Sequence, residues 1–164
     1  MNISNISVGL KGDDLLSIYN DFVSIKELNI EKIEVKDDIK IIGSFIKGIV
    51  IKFECKVKLN SMKDGLINGE VTGFRILNIG IASFLRKIAL KFALKELSDK
   101  GISYDNGKVI IQYKYLLKDI PYVDFDINNI YCMDNILNIE LRNIKASLGG
   151  ELKKEVELLS FEKE

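Results

Sequence analysis

The sequence predicts an α+β fold, in which a strongly bent antiparallel sheet of about six or seven strands packs around one long apolar helix. Three observations predict this class. Isoleucine, whose β-branched side chain favours strands, is abundant, and Pro121 is the only proline that would interrupt strand pairing. Apolar and polar residues alternate in several segments. Residues 81–98 instead repeat their apolar residues at helical spacing.

The chain opens with a predicted strand followed by a helix. Residues 3–10 contain a short alternation of apolar and polar side chains, with Ile6, Val8 and Leu10 as the apolar residues, as expected for a short strand. Asp13 or Asp14 is expected to cap the helix, because a short acidic side chain accepts hydrogen bonds from its first free N–H groups. The apolar residues between positions 15 and 23 are spaced to form one face of that helix.

Four strands are expected between residues 28 and 76. An offset at Glu31–Lys32 interrupts the alternation of the first strand and predicts a bulge. The clearest strand is Ile49–Leu59, which alternates without a break and so has one apolar and one charged face. In the last strand, a register shift at Gly73 predicts a second bulge that bends the sheet.

The segment 81–98 is the most strongly patterned part of the sequence. Its apolar residues cover most of a helical circumference and leave a narrow basic strip formed by Lys87, Lys91 and Lys95. Gly101 is expected to end this helix, because glycine readily adopts the left-handed conformation that follows many helices. A helix that is apolar nearly all round is expected to be buried, so we predict that the sheet wraps it.

Three more strands and a tail complete the predicted fold. Val109–Tyr115 alternates as one strand, and Val123–Ile127 and Leu137–Leu141 alternate as the two arms of a hairpin. Beyond Gly149–Gly150, apolar residues recur at helical spacing among Lys and Glu.

We therefore expect a single α+β domain over residues 1–148 and a C-terminal helical tail over residues 149–164. The N-terminal residues have neither the basic region nor the apolar core of a signal peptide. No stretch of the sequence approaches the roughly 20 apolar residues of a membrane span. These features predict a cytoplasmic protein.

The composition excludes much of enzyme chemistry. The chain has no histidine, and its 24 basic and 24 acidic side chains give a net charge of zero. Without imidazole there is no Ser–His or Cys–His nucleophile pair and no histidine-based zinc site, and a neutral chain is atypical of nucleic-acid binders. The glycine-rich phosphate loops and the calcium loop are also missing from the sequence. We predict a protein that is not an enzyme, holds no metal or cofactor and binds no nucleic acid.

Three further signals are better explained by structure than by chemistry. Cys55 and Cys132 are far apart in the sequence and are expected to be reduced, buried residues. Asp124 and Asp126 share one face of a strand and would suit paired acid chemistry, but solvated edge charges are the stronger interpretation. Tyr113 and Tyr115, with Phe125 and Tyr131 downstream, would suit a base-stacking platform, but such a platform needs several interleaved basic residues and only Lys114 is close, so we expect core or rim aromatics.

The apolar helix and the apolar face of the clearest strand predict a binding function. If the two surfaces leave a gap, it would accept a lipid or other apolar ligand, and the basic strip would meet anionic headgroups at a membrane surface. If they close completely, the alternative is a structural or protein-interaction module that binds a protein partner through its C-terminal tail. The predicted ligand-binding residues are Ile51, Phe53 and Val57 on the strand, and Phe84, Leu85, Ile88 and Phe92 on the helix.

The order of these elements resembles that of small bacterial tubular lipid-binding (TULIP-like) proteins, particularly the mycobacterial lipid-handling family. The resemblance covers about residues 25–145 and implies a long helix held inside a strongly bent sheet. It also implies that a hydrophobic ligand binds between helix and sheet without catalysis. The segments that carry it are Leu28–Lys36, Ile39–Phe45, Ile49–Leu59, Ile67–Ile76, the helix Ile81–Leu97, Gly101–Ile102, Val109–Tyr115 and the closing hairpin Ile127–Leu141.

Overall fold

The fold is known from a computed structural model, which describes residues 2–77, 91, 93–150, 152, 154 and 156–159. Of these residues 56% are in strands and 18% in helices. Within them, nine strands form two antiparallel sheets. The expectation of antiparallel sheet structure is therefore confirmed.

Sheet A has three strands and sheet B has six. Sheet A contains β1 (Asn2–Leu10), β8 (Val123–Met133) and β9 (Ile136–Ala146), in the order β1-β9-β8. Sheet B contains β2 (Leu28–Val35), β3 (Ile39–Ile46), β4 (Val50–Lys63), β5 (Leu66–Ile76), β6 (Ile102–Asp105) and β7 (Lys108–Ile111), in the order β2-β3-β4-β5-β7-β6.

Short helical segments connect the strands. The first is α1 (Gly12–Ile18), which continues into a π turn (Tyr19–Val23). Residues 93–99 form α2, and α3 is Tyr113–Leu117.

The predicted fold class, one bent sheet packed around one long apolar helix, is wrong. The strands are divided between two sheets, and the helices of the described residues are only five to seven residues long. The division arises because β1 pairs with β9, from Asn2 opposite Lys145 to Leu10 opposite Leu137, and so does not join sheet B. Of the predicted helix 81–98, residues 91 and 93–98 are helical, whereas 81–90 and 92 lie outside the described residues.

Several local predictions can be compared with the structure. The pairing of β2 with β3 shifts register between Ile30 and Lys32, which confirms the bulge at Glu31–Lys32. The pairing of β4 with β5 shifts next to Gly73, as expected. The predicted strand through Tyr113–Tyr115 is wrong, because β7 stops at Ile111 and the two tyrosines belong to α3.

The main hydrophobic core lies between the two sheets. Val35 and Ile67 of sheet B are buried against Ile127 and Leu137 of sheet A. Tyr113 and Leu117, four residues apart and therefore on one face of α3, are buried in the same cluster. The helix α3, which the alternating pattern wrongly predicts as a strand, thus packs in the main core.

Sheet B is curved, so that its two outer strands approach a common cluster. Val23, Ile25 and Leu28 form a second buried cluster, in which Leu28 belongs to the edge strand β2. Ile102 of β6, the strand at the opposite edge, packs against that cluster, and so does Leu97 of α2. The concave side of sheet B is its inner face.

Candidate apolar binding surface on the inner face of sheet B

The inner face of sheet B carries a continuous apolar row on β4 and β5. Ile51, Phe53 and Cys55 alternate along β4 and so point to one side of the sheet. On β5, Phe74 lies opposite Cys55, and Ile76 lies opposite Phe53. These five residues form an apolar surface that is a candidate binding site.

An aromatic pair marks the centre of this surface. The rings of Phe53 and Phe74 are stacked, with centroids 6.1 Å apart and an angle of 21° between their planes. Phe53 lies over Gly43 of β3, where an added Cβ would come within 3.2 Å of the phenyl ring and 2.4 Å of the Asn29 carbonyl oxygen. Glycine at this position therefore leaves room for Phe53. Phe53 is half-buried, whereas 47% of Phe74 is exposed.

The exposed ring of Phe74 lies on the part of β5 that extends beyond its pairing with β7. β7 pairs with β5 only from Ile67 to Glu70, and the N–H of Val71 donates to the Gly107 carbonyl at 2.7 Å. Within the described residues, positions 72–76 of β5 have β4 as their sheet neighbour and no strand on the other side. The apolar surface consequently reaches the edge of the sheet at Phe74.

The opposite end of the surface is closed by packing. Ile51 is almost completely buried beside Phe45, and Ile76 and Ala93 pack against this pair. Because Ala93 belongs to α2, that helix covers the Ile51 end.

The predicted ligand-binding residues occupy different parts of this arrangement. Ile51 is in the closed end, Phe53 is in the aromatic pair, and Val57 is half-buried further along β4, opposite Ile39 and Val71. The other four predicted residues, Phe84, Leu85, Ile88 and Phe92, lie outside the described residues, so the predicted site remains a prediction.

The basic strip is described only in part. Lys91 and Lys95 are exposed, and Lys87 lies outside the described residues. Their expected contact with a membrane surface likewise remains a prediction.

Sequence reasoning did not single out Phe74 as a ligand-binding residue. The sequence nevertheless contains a signal for Phe74, because the predicted register shift at Gly73 places Phe74 and Ile76 on the side of the sheet that carries Phe53. The exposure of Phe74 depends on the short pairing of β7, which local alternation does not reveal.

The outer face of sheet B carries paired charges. The Arg75 guanidinium donates to the Glu54 carboxylate at 3.1 Å, and the Lys40 ammonium lies 3.4 Å from the same oxygen. The hydrogen bond from Arg75 holds the pKa of Glu54 below its ordinary value, although desolvation acts in the opposite direction. Glu54 is therefore a carboxylate at neutral pH, and it links three strands across the sheet.

Asp124 and Asp126 share a cation. The Lys114 ammonium lies 2.9 Å from Asp124 and 3.0 Å from Asp126, and the side-chain amide of Asn143 donates to Asp126 at 2.8 Å. The hydrogen bond from Asn143, helped by Lys114, lowers the pKa of Asp126. The pair expected as solvated edge charges thus lies in an ion-paired cluster on β8.

Both cysteines are unpaired and half-buried. Burial raises the pKa of the Cys55 thiol to about 11. Burial also raises the pKa of Cys132, and the nearby charges of Asp38 and Asp37 add to that effect. Both groups are protonated thiols at neutral pH, which is the form that reacts least.

Two open clefts lie on the sheet A side of the molecule. One, of about 340 Å³, lies over β1 and β9 and is lined by Asn5, Ile6, Ser7, Asn128, Glu140 and Leu141. The other, of about 380 Å³, lies beside the β4–β5 turn and includes Asp64, Asp126 and Arg142 in its lining. Each is lined by a mixture of polar and apolar residues, and among the described residues none of the predicted ligand-binding residues lines either cleft.

The described residues of the tail contact the domain itself. The buried side-chain amide of Gln112 donates to the Leu159 carbonyl at 3.1 Å and accepts from the Leu159 N–H at 2.9 Å. The Lys154 ammonium donates to the carbonyls of Leu117, Ile120 and Val123. None of the described tail residues is helical, and because the others lie outside the described residues, the predicted helical tail and its protein partner remain predictions.

In the part of the chain that the structure describes, no three Cys, Asp or Glu side chains form a cluster that could hold a metal ion. No helix of the same residues has the length and apolar character needed to cross a bilayer. The chain matches no protein-family model, and comparison with curated proteins and with solved structures gave no match either.

Proposed function

We propose that this protein binds a lipid or another apolar molecule without catalysing a reaction, and that the ligand contacts the inner face of sheet B at Phe74. The observation that carries the proposal is the stacked pair of Phe53 and Phe74, of which one ring is half-buried and the other is 47% exposed. An exposed aromatic ring that continues a buried apolar row is typical of a binding surface.

The shape of the surface favours an extended apolar ligand. The row begins at the sheet edge beside Phe74 and ends where Ile51 and Ala93 pack together. An acyl chain that lay on Phe74 and Phe53 would remove their remaining apolar surface from water, which stabilises a complex without directional contacts.

The charges and thiols of the described residues support a role in binding rather than catalysis. The pKa of Glu54 and that of Asp126 are both lowered by hydrogen bonds, so neither residue can serve as a proton donor near neutral pH. The raised pKa of Cys55 keeps its thiol protonated. Two unpaired thiols also suit a reducing compartment, and we propose a cytoplasmic location.

The test uses oleate as the probe. Native mass spectrometry of gently purified protein, with and without added oleate, is expected to show one bound apolar ligand. Phe74→Ser should weaken oleate binding about tenfold, because covering the exposed half of a phenyl ring is worth about 1.4 kcal/mol. Phe22→Ser is the matched control, since Phe22 is 44% exposed but lies in the π turn.

A protein that neither retains a ligand nor binds oleate would contradict the proposal and favour the structural or protein-interaction alternative. Equal losses of affinity in Phe74→Ser and Phe22→Ser would show that the ligand does not bind at the aromatic pair.

A further inference from the structure

The turn between β3 and β4 presents aliphatic side chains to solvent. Ile46, Ile49 and Val50 are large apolar residues within a five-residue stretch, and between 37% and 47% of each is exposed. The N–H of Lys47 donates to the Ile49 carbonyl at 3.0 Å, which closes the turn. Gly48 has a φ of +73°, and a Cβ added there would meet no atom within 4 Å. The turn therefore projects from the end of sheet B.

Along the chain the turn carries only positive charges, and the segment before β2 adds Lys26 and Glu27, one charge of each sign, where the N–H of Ile46 donates to the Glu27 carbonyl at 2.8 Å. From Phe45 to Phe53 the charged residues are Lys47 and Lys52, and no acidic residue lies between them. Leu77 extends the apolar area, because its N–H donates to the Lys52 carbonyl at 2.8 Å and its side chain is exposed. The segment 46–50 and its neighbour Leu77 together form the apolar tip.

We infer that the apolar tip docks on the surface of an anionic phospholipid bilayer. Aliphatic side chains that project beside lysines can enter the boundary between headgroups and acyl chains, while the ammonium groups remain at the level of the phosphates. The positive charge of the tip complements an anionic bilayer surface. A second copy of the chain is a poorer partner, because tip-to-tip contact would bring the Lys47 and Lys52 groups of both copies together.

This inference does not depend on the proposed ligand site, because the tip and Phe74 are separate surfaces. Both Ile46 and Val50, which pair at the end of the β3–β4 ladder, lie at the turn. Phe74 lies opposite Cys55, five positions along β4 from Val50. The two proposals can consequently fail separately.

The chain contains no tryptophan, so a single introduced tryptophan is a clean reporter. Ile49→Trp would report on the tip, and Ile6→Trp is the matched control on β1, where 43% of Ile6 is exposed. The probe is a vesicle of phosphatidylcholine and phosphatidylglycerol in equal parts, with pure phosphatidylcholine vesicles for comparison. Emission of the Ile49→Trp protein is expected to shift to the blue and to resist iodide quenching only with the anionic vesicles.

A second variant tests the same tip without adding an aromatic ring. Ile49→Ser should lower sedimentation with anionic vesicles about fivefold relative to the unaltered protein, and salt should weaken the sedimentation of both. Circular dichroism of Ile49→Ser establishes that the protein is folded. The inference is overturned if Ile6→Trp and Ile49→Trp respond alike, or if both vesicle types give the same response. It is also overturned if the blue shift appears with rising protein concentration and no vesicles, which would identify a second copy as the partner.

Discussion

The hydroxyl group of Tyr113 links α3 to sheet A through a hydrogen bond. The contribution of this bond to stability can be measured by a substitution that removes only the hydroxyl. β8 is an edge strand of sheet A, and the buried N–H of Ile127 donates to the Tyr113 hydroxyl oxygen at 3.0 Å. The Tyr113 ring is itself buried and stacks on Phe125, with centroids 6.5 Å apart. Tyr113→Phe would keep the ring and its packing but remove the acceptor.

The cost follows from leaving a buried donor without a partner. Such a group costs about 1 to 3 kcal/mol, because it loses its hydrogen bond and cannot reach water. We expect the free energy of unfolding to fall by about 2 kcal/mol, which corresponds to a decrease in Tm of about 4 to 8 °C for a chain of this length.

The assay is urea denaturation monitored by circular dichroism, in which the midpoint should fall while the slope m stays unchanged. Amide hydrogen exchange should become faster at Ile127 in the variant. Tyr122→Phe is the control, because Tyr122 is 55% exposed and its loss of a hydroxyl should change stability by less than about 0.5 kcal/mol. If Tyr113→Phe is as stable as Tyr122→Phe, the assignment of an anchoring role to the Tyr113 hydroxyl is wrong.

Two further predictions concern ionisable groups. Because the pKa of Glu54 is lowered in the folded protein, its stabilising effect is present above its ordinary value of 4.5 and is lost as the pH falls through the folded pKa. The urea midpoints of the unaltered protein and Glu54→Gln should therefore differ at pH 7 and converge below about pH 4.5, whereas a constant difference would contradict this account. Because burial raises the pKa of Cys55 to about 11, only about one Cys55 thiol in a thousand is ionised at pH 8. Mass spectrometry should therefore find slow alkylation of Cys55 by iodoacetamide in the native protein and rapid alkylation in urea. Rapid alkylation of Cys55 in the native protein would refute the burial argument.

The local features of sheet B could be predicted from the sequence because alternation and its interruptions are local signals. The strand through Ile51 and Phe53, the bulge at Glu31 and the register shift at Gly73 all appear in the pattern of neighbouring residues. These features also place Phe53 and Phe74 on the same face. The sequence therefore predicts which residues share the apolar face of the candidate surface.

The division into two sheets had no such local signal. β1 alternates like any strand, and nothing between Asn2 and Leu10 specifies β9 as its partner. The helix α3 was missed for a related reason, since Tyr113 and Leu117 are spaced for a helix while Ile111 and Tyr113 are spaced for a strand. Tertiary packing, which buries one face of α3 in the main core, decides between these two interpretations.

The pairing of β1 with β9 affects the order in which the chain can fold during synthesis. Of the nine described strands β1 is translated first, but Ile3 and Leu10 meet Ile144 and Leu137, which are translated after all of sheet B. Sheet B is built mainly from neighbouring hairpins and can form while translation continues. The apolar side of β1 must therefore stay in solution, or be held by a chaperone, until the last hairpin emerges. The strand made first is among the last to be paired, and chains that stall before β9 would expose it to aggregation.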